Sequence, residues 1–104
     1  MSQDLPLTET LYYILLVLHR PMHGYKMAQE VETMTQGRVV LGAGTLYGAI
    51  KNLLKKGWIR VYRDDQDARR KKEYILTEEG KNVFEEEVKR LEKMLEDAKK
   101  AGQL

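Results

Sequence analysis

Residues 44 to 63, GTLYGAIKNLLKKGWIRVYR, change hydrophobic period within one short stretch. From Gly44 to Lys56 the apolar residues Leu46, Ile50, Leu53 and Leu54 gather on one side of a helical wheel, with Ala49 nearby, and predict a helix. Gly44, Gly48, Lys51, Asn52 and Lys55 gather opposite. Gly57 reads as the stop, after which Trp58 to Arg63 alternates as a strand. Gly48 stands in the middle of the outer face. A glycine inside a helix costs about 1 kcal/mol relative to alanine, so its place there suggests a large body approaching the backbone closely.

Working toward the C-terminus, Asp64 to Ala68 is a polar loop with no hydrophobic anchor, and Arg69 to Leu76 reads as the returning strand of a hairpin. Four consecutive cations, Arg69, Arg70, Lys71 and Lys72, lie at its tip end. Thr77 is a helix cap, with Glu78 and Glu79 in the first turn where they complement the helix dipole. Gly80 stands where a capping box would place Glu or Gln. Phe84, Val88, Leu91, Leu95 and Ala98 recur at steps of four, three, four and three, the seam of a short coiled coil. Glu85 with Lys89, Glu86 with Arg90 and Glu96 with Lys100 are spaced as surface ion pairs along that helix.

Working toward the N-terminus, Gly42-Ala43-Gly44 suits a tight turn, and Arg38 to Leu41 is a short β-prone stretch. Tyr25, Met27, Ala28, Val31 and Met34 put an apolar stripe on a helix ending near Thr35-Gln36-Gly37, with Met22-His23-Gly24 as the turn before it. Thr8 caps a first helix over residues 8 to 19, which stops before Arg20-Pro21. Its body, Leu11 to Leu18, is apolar or aromatic on every side. Such a helix is either central to the core or packed on one face in its own protomer and on the other against a second subunit. The second reading is favoured, because a domain of ~100 residues encloses little. The order is helix, helix, short strand, helix, strand, strand, helix. It predicts a mostly α chain with a small β-hairpin: a winged helix-turn-helix over residues 1–77, with a C-terminal dimerisation helix over 78–104.

With 104 residues the chain has room for one small domain, and without cysteine it has no disulfide scaffold, thiolate metal site or cysteine nucleophile. Leu11 to Leu18, the longest apolar run, is far short of a membrane span, and no charged-then-apolar leader is read at the start, so a cytoplasmic protein is expected. The net charge of +2 hides a segregation: residues 1–37 balance to −2, residues 38–72 to +7 and residues 73–104 to −3. A basic middle points to a polyanionic partner. No serine follows Ser2, no phosphate-cradling glycine loop ends in Lys-Ser or Lys-Thr, and carboxylates pair only at helix-pair and cap positions. No enzyme and no cofactor is expected. His19 and His23 have the spacing of a helical metal pair, but Pro21 between them breaks the helix, and no metal site is expected.

Leu7-Thr8-Glu9-Thr10-Leu11, His23-Gly24-Tyr25, Gly44-Thr45-Leu46-Tyr47, Lys56-Gly57-Trp58-Ile59, and Arg70-Lys71-Lys72 through Tyr74 to Leu76-Thr77-Glu78-Glu79-Gly80 resemble the PadR family of bacterial transcriptional regulators. The resemblance covers nearly the whole chain and fits the short members that end after one C-terminal helix. It implies a homodimer, paired through its first and last helices, that represses promoters and in some members responds to small hydrophobic molecules. This chain departs from the family pattern at Gly42-Ala43-Gly44, where Gly-Pro-Gly is usual. It also has Asn52 for a basic residue, Leu54 for an acid, Ala68 for glycine and Glu73 for an aromatic. Some relatives hold drugs between tryptophans of the last helix; here that helix has only Phe84 as an aromatic, and Trp58 belongs to the core.

The small and basic face of the third helix reads as a recognition helix for the major groove of double-stranded DNA, on a pseudo-palindromic operator. The expected DNA-binding residues are Tyr25, Lys26, Gly44, Thr45, Tyr47, Gly48, Lys51, Asn52, Lys55, Arg69, Arg70, Lys71 and Lys72. Tyr47 fills a core gap or bonds to phosphate, and the resemblance favours phosphate. The expected dimer contacts are Leu11, Tyr12, Leu15, Phe84, Val88, Leu91, Met94 and Leu95. Rings and a thioether at that interface, with few polar groups, suggest a small apolar or aromatic effector, against the alternative of a closed coiled-coil core. A winged-helix protein-interaction module that does not read DNA is the competing function.

Overall fold

The computed structural model describes residues 4–65 and 71–104. Its elements are α1 (Glu9–Val17), β1 (Met22–His23), α2 (Gly24–Met34), α3 (Ala43–Lys56), β2 (Ile59–Asp65), β3 (Lys71–Leu76) and α4 (Glu78–Lys100). The three strands form one antiparallel sheet in the order β1-β3-β2. This is the winged helix-turn-helix: α2 and α3 form the helical pair, β2 and β3 the wing, and α4 follows.

The local signals act as expected at most element ends. Thr8 Oγ1 accepts from Leu11 N–H at 3.1 Å, and α1 ends before Pro21. Gly57 adopts a left-handed conformation, φ 78°, while its N–H donates to Leu54 O and that of Trp58 to Leu53 O. Thr77 Oγ1 accepts from Gly80 N–H at 3.0 Å.

Three sequence expectations change. Residues 38–41 form no strand. Val39 and Leu41 are buried and Val40 is exposed, an alternation that resembles a strand but here plugs a connector into the core. Thr35 Oγ1 closes that connector, taking Val39 N–H at 3.0 Å and donating to Val31 O at 2.8 Å. The third strand is instead Met22–His23, read above as a turn. It is only two residues long and shows no periodicity, and pairs Met22 with Tyr74 and His23 with Glu73. Of the expected ion pairs on α4, Glu96 meets Lys100 at 3.1 Å, while Arg90 turns to the buried Glu87 rather than to Glu86.

The core lies between the inner faces of all four helices and the sheet. Ile14, Leu15 and Leu18 from α1 and its cap meet Met27 and Val31 of α2, Leu46, Ile50 and Leu53 of α3, Trp58 and Ile59, and Leu76. Only the first part of α4 enters it, through Val83 and Phe84; residues 91–97 are all exposed.

The start of α4 is held against the α3–β2 junction. Thr77 N–H donates to Trp58 O at 3.0 Å, and Thr77 Oγ1 donates to Gly57 O at 2.6 Å. A Cβ at Gly80 would stand 2.0 Å from the Trp58 carbonyl oxygen, so no residue but glycine fits. This explains the missing capping-box glutamate. Gly80→Ala is expected to destabilise the protein by about 3 kcal/mol, lowering Tm by roughly 15 °C. Gly48→Ala, where nothing lies within 4 Å of the added Cβ, is expected to raise Tm by removing a mid-helix glycine. Calorimetry of both variants checks the pair.

Candidate nucleic-acid interface

The inner face of α3 is fixed by burial of Leu46, Ile50 and Leu53, which leaves Gly44, Thr45, Tyr47, Gly48, Lys51, Asn52 and Lys55 on the outside. All seven are exposed, and nothing lies within 4 Å of a Cβ built on Gly44 or Gly48. Apart from the Tyr47 ring at its edge the ridge carries no bulky apolar side chain, and two lysines, an amide and the hydroxyls of Thr45 and Tyr47 are its hydrogen-bonding groups.

Beside this ridge, Tyr47 leans over the start of α2. Its Oη would be 2.9 Å from a Cβ on Gly24, so Gly24 supplies the space that lets the two helix ends approach. Tyr25 is 65% exposed and lies in stacked orientation on His23, with ring centroids 6.5 Å apart. Lys26 is exposed, and its backbone N–H donates to His23 Nδ1 at 3.3 Å, which caps α2. On the wing, Lys72 is half-exposed and 3.9 Å from Asp64. Arg69 and Arg70, with the side chain of Lys71, lie outside the described residues.

The basic middle of the sequence is not all on this face. Arg38 pairs with Glu9 and donates to Tyr13 Oη at 2.9 Å, crossing to α1. Lys56 pairs with Asp4 at 3.1 Å and lies 5.0 Å from the centre of the Trp58 ring. Charge counting along the chain does not register either intramolecular commitment.

The α1–α4 side carries the residues expected at a dimer contact, with two corrections. Leu15 is fully buried and Phe84 is 8% exposed, so both are spent in the protomer core. Leu15 joins Ile14 and Leu18 in the one hydrophobic core cluster, and Phe84 stacks on Tyr12 at 5.1 Å and meets the edge of His19 at 4.9 Å. Leu11, Tyr12 and Val88 are half-buried, and Leu91, Met94 and Leu95 are exposed. A 400 Å³ cleft between α1 and α4 is lined by Leu7, Glu9, Tyr12, Tyr13, Glu87, Arg90 and Leu91. It is more polar than the apolar seam suggested.

Glu87 is the charged residue the sequence reading passed over. It is 2% exposed and accepts from Leu7 N–H at 2.9 Å and from Arg90 Nε at 2.5 Å and Nη2 at 3.1 Å. The Arg90 hydrogen bond is the main reason its carboxyl is held below the usual carboxylate range, with burial opposing and Leu7 N–H assisting. Tyr74 was passed over too. It reads as an apolar strand residue and is 8% exposed.

His19 Nδ1 lies against the carbonyl oxygens of Leu15 and Leu16, and among the described residues no cluster of three His, Cys, Asp or Glu is placed to hold a metal. No described helix is long and apolar enough to cross a membrane.

The model of the transcriptional regulator PadR-like family matches residues 14–86, and the chain belongs to that family. A transcriptional regulator from Clostridium thermocellum is 25% identical, with a TM-score of 0.74 over 86% of this chain and 89% of its own. RosR of H. salinarum is 28% identical, with a TM-score of 0.66 over 91% and 80% of the two chains. An uncharacterised protein from Lysinibacillus sphaericus is 33% identical over 75 residues, 71% of this chain and 69% of the relative.

Because the Glu87 carboxyl is depressed in the folded state, its contribution to stability is present above the ordinary carboxylate range and is lost as pH falls through the lowered folded value. Glu87→Gln is therefore expected to cost roughly 1 kcal/mol at neutral pH. Its Tm deficit relative to wild type should shrink as the pH is taken from 6 toward 3, which thermal melts across that range check.

Proposed function

We propose that the protein is a homodimeric, sequence-specific DNA-binding repressor. The observation that carries this reading is the exposed face of α3, small at Gly44 and Gly48 and cationic at Lys51 and Lys55, beside the wing cation Lys72. In this reading α3 enters the major groove, the wing touches backbone or minor groove, and residues 1–77 bind DNA while 78–104 pair the protomers. The exposed residues Leu91, Met94 and Leu95, with Leu91 lining the same cleft as Tyr12, support pairing through α1 and α4. A small apolar or aromatic effector settling between these helices relieves repression by changing the angle between the two α3 helices. It does so to the extent that it prefers the dimer unable to bind DNA.

Fluorescence titration of a mixed-sequence duplex over a salt series separates this function from a protein-interaction module. Affinity should fall steeply as salt rises; absence of salt-dependent binding refutes the DNA reading. On an operator selected from a random pool, Lys51→Ala should relax preference at one base position, by about 1 to 3 kcal/mol. Arg70→Ala should weaken all sequences alike and lower the salt slope by about 1. Equal, sequence-independent losses for both rule out base reading by Lys51. Leu95→Asp, at a position exposed in the protomer, should give a folded monomer in sedimentation and abolish tight operator binding, since a dimer spans half-sites about 34 to 36 Å apart. A wild-type monomer at micromolar concentration refutes the pairing.

A further inference from the structure

We propose that the cleft between the wing and the starts of α2 and α3 seats a backbone phosphodiester of the bound DNA, with the Tyr74 hydroxyl as a donor to it. The cleft measures 460 Å³ and is lined by Gly24, Ala43, Tyr47, Lys72 and Tyr74. The inference rests on the DNA-binding reading and adds a residue that neither α3 nor the cationic tip of the wing supplies.

The chemistry of the lining is that of an oxyanion seat. Both α2, which begins at Gly24, and α3, which begins at Ala43, start at this cleft, and no side chain caps α3. The leading N–H groups of a helix lack carbonyl partners and carry the positive end of its dipole. Tyr74 is the independent observation. It is only 8% exposed, yet among the described residues its hydroxyl has no hydrogen-bond partner. Among the described residues no buried side-chain nitrogen or oxygen is orphaned away from solvent, so the hydroxyl, which lines the cleft, opens into it rather than into a dry core. A largely buried phenol kept without a protein acceptor leaves a donor to spend on something that arrives.

Strand register aims it there. Tyr74 pairs with Met22 and Val61, and Lys72, two residues earlier on β3, stands on the same side of the sheet. Burial, with smaller contributions from Tyr47 and Asp64, pushes the Tyr74 phenol above its ordinary pKa, so it remains a donor across the physiological range. Lys72 is ion-paired with Asp64 at 3.9 Å, beyond hydrogen-bonding distance and half-exposed on both sides, a weak pair that a phosphate can displace. The cleft continues onto the α3 ridge through Ala43 and Tyr47, so a nucleic-acid strand crossing the start of α3 passes over it.

The test is Tyr74→Phe in the full chain, titrated with a mixed-sequence duplex over a salt series beside wild type and Lys72→Gln. Tyr74→Phe should bind about tenfold more weakly with an unchanged salt slope, because a donor but no charge is lost. Lys72→Gln should lower the slope by about 1 per site. Tm of Tyr74→Phe should match wild type, as the deleted hydroxyl bonds to no described residue. If removing it perturbs folding, Ala43→Asp replaces it as the test. Its carboxylate suits the first turn of α3 and blocks the seat, so a folded variant should bind more than tenfold more weakly. Wild-type affinity in a folded Tyr74→Phe or Ala43→Asp overturns the seat while leaving the DNA reading intact, whereas failure of wild type to bind duplex overturns both. ATP and inorganic phosphate, titrated without DNA, should bind no tighter than millimolar. Micromolar ATP binding that Tyr74→Phe abolishes, with duplex affinity unchanged, assigns the cleft to a small ligand and overturns the proposal.

Discussion

The carbonyl of Trp58 and the backbone of Gly80 approach so closely that a single methyl group would separate α4 from the rest of the protein. Four element ends meet at this contact: the stop of α3 at Gly57, the start of β2, the end of β3 and the cap of α4 at Thr77. Thr77 binds both Gly57 and Trp58. The direction of the wing relative to α3, and the direction in which α4 leaves, are therefore set by the same few atoms. A winged helix reads its partner with a helix and a hairpin together, so this junction fixes the spacing of the two.

Much of the architecture was legible because the signals were local. Thr8, Gly57 and Thr77 act at element ends through hydrogen bonds within four residues, and the period change at Gly57 marks α3 from β2. What escaped is long-range. Met22–His23 becomes a strand only because β3 lies beside it, and Val39 with Leu41 fills a core that no neighbouring sequence describes. The outer face of α3 was legible from its wheel, since burial on one side implies exposure on the other. The roles of Arg38, Lys56, Glu87 and Tyr74 were not, because each depends on a group distant in sequence or on depth below the surface.

The first helix shows why a fully apolar segment is ambiguous in sequence. Leu15 and Phe84 looked available to a second copy, yet both are consumed within the protomer. The faces left over carry Leu11, Tyr12 and Tyr13, half-buried, and on them charged residues intervene: Glu9 and Arg38 at one end, Glu87 and Arg90 at the other. The helix is thus a core element whose remaining surface is bordered by ion pairs, a mixture that apolar counting hides.

Beyond Arg90, α4 runs seven consecutive exposed residues, so the folding of everything before it is indifferent to much of what is written there. Substitutions in that stretch meet no packing constraint from the core and none from the exposed ridge of α3. If α4 pairs the protomers as proposed, association and target reading can drift apart over evolutionary time, with duplicated copies acquiring separate mating preferences while keeping one scaffold. On that same proposal, this arm is the natural place to exchange sequence when building orthogonal pairs.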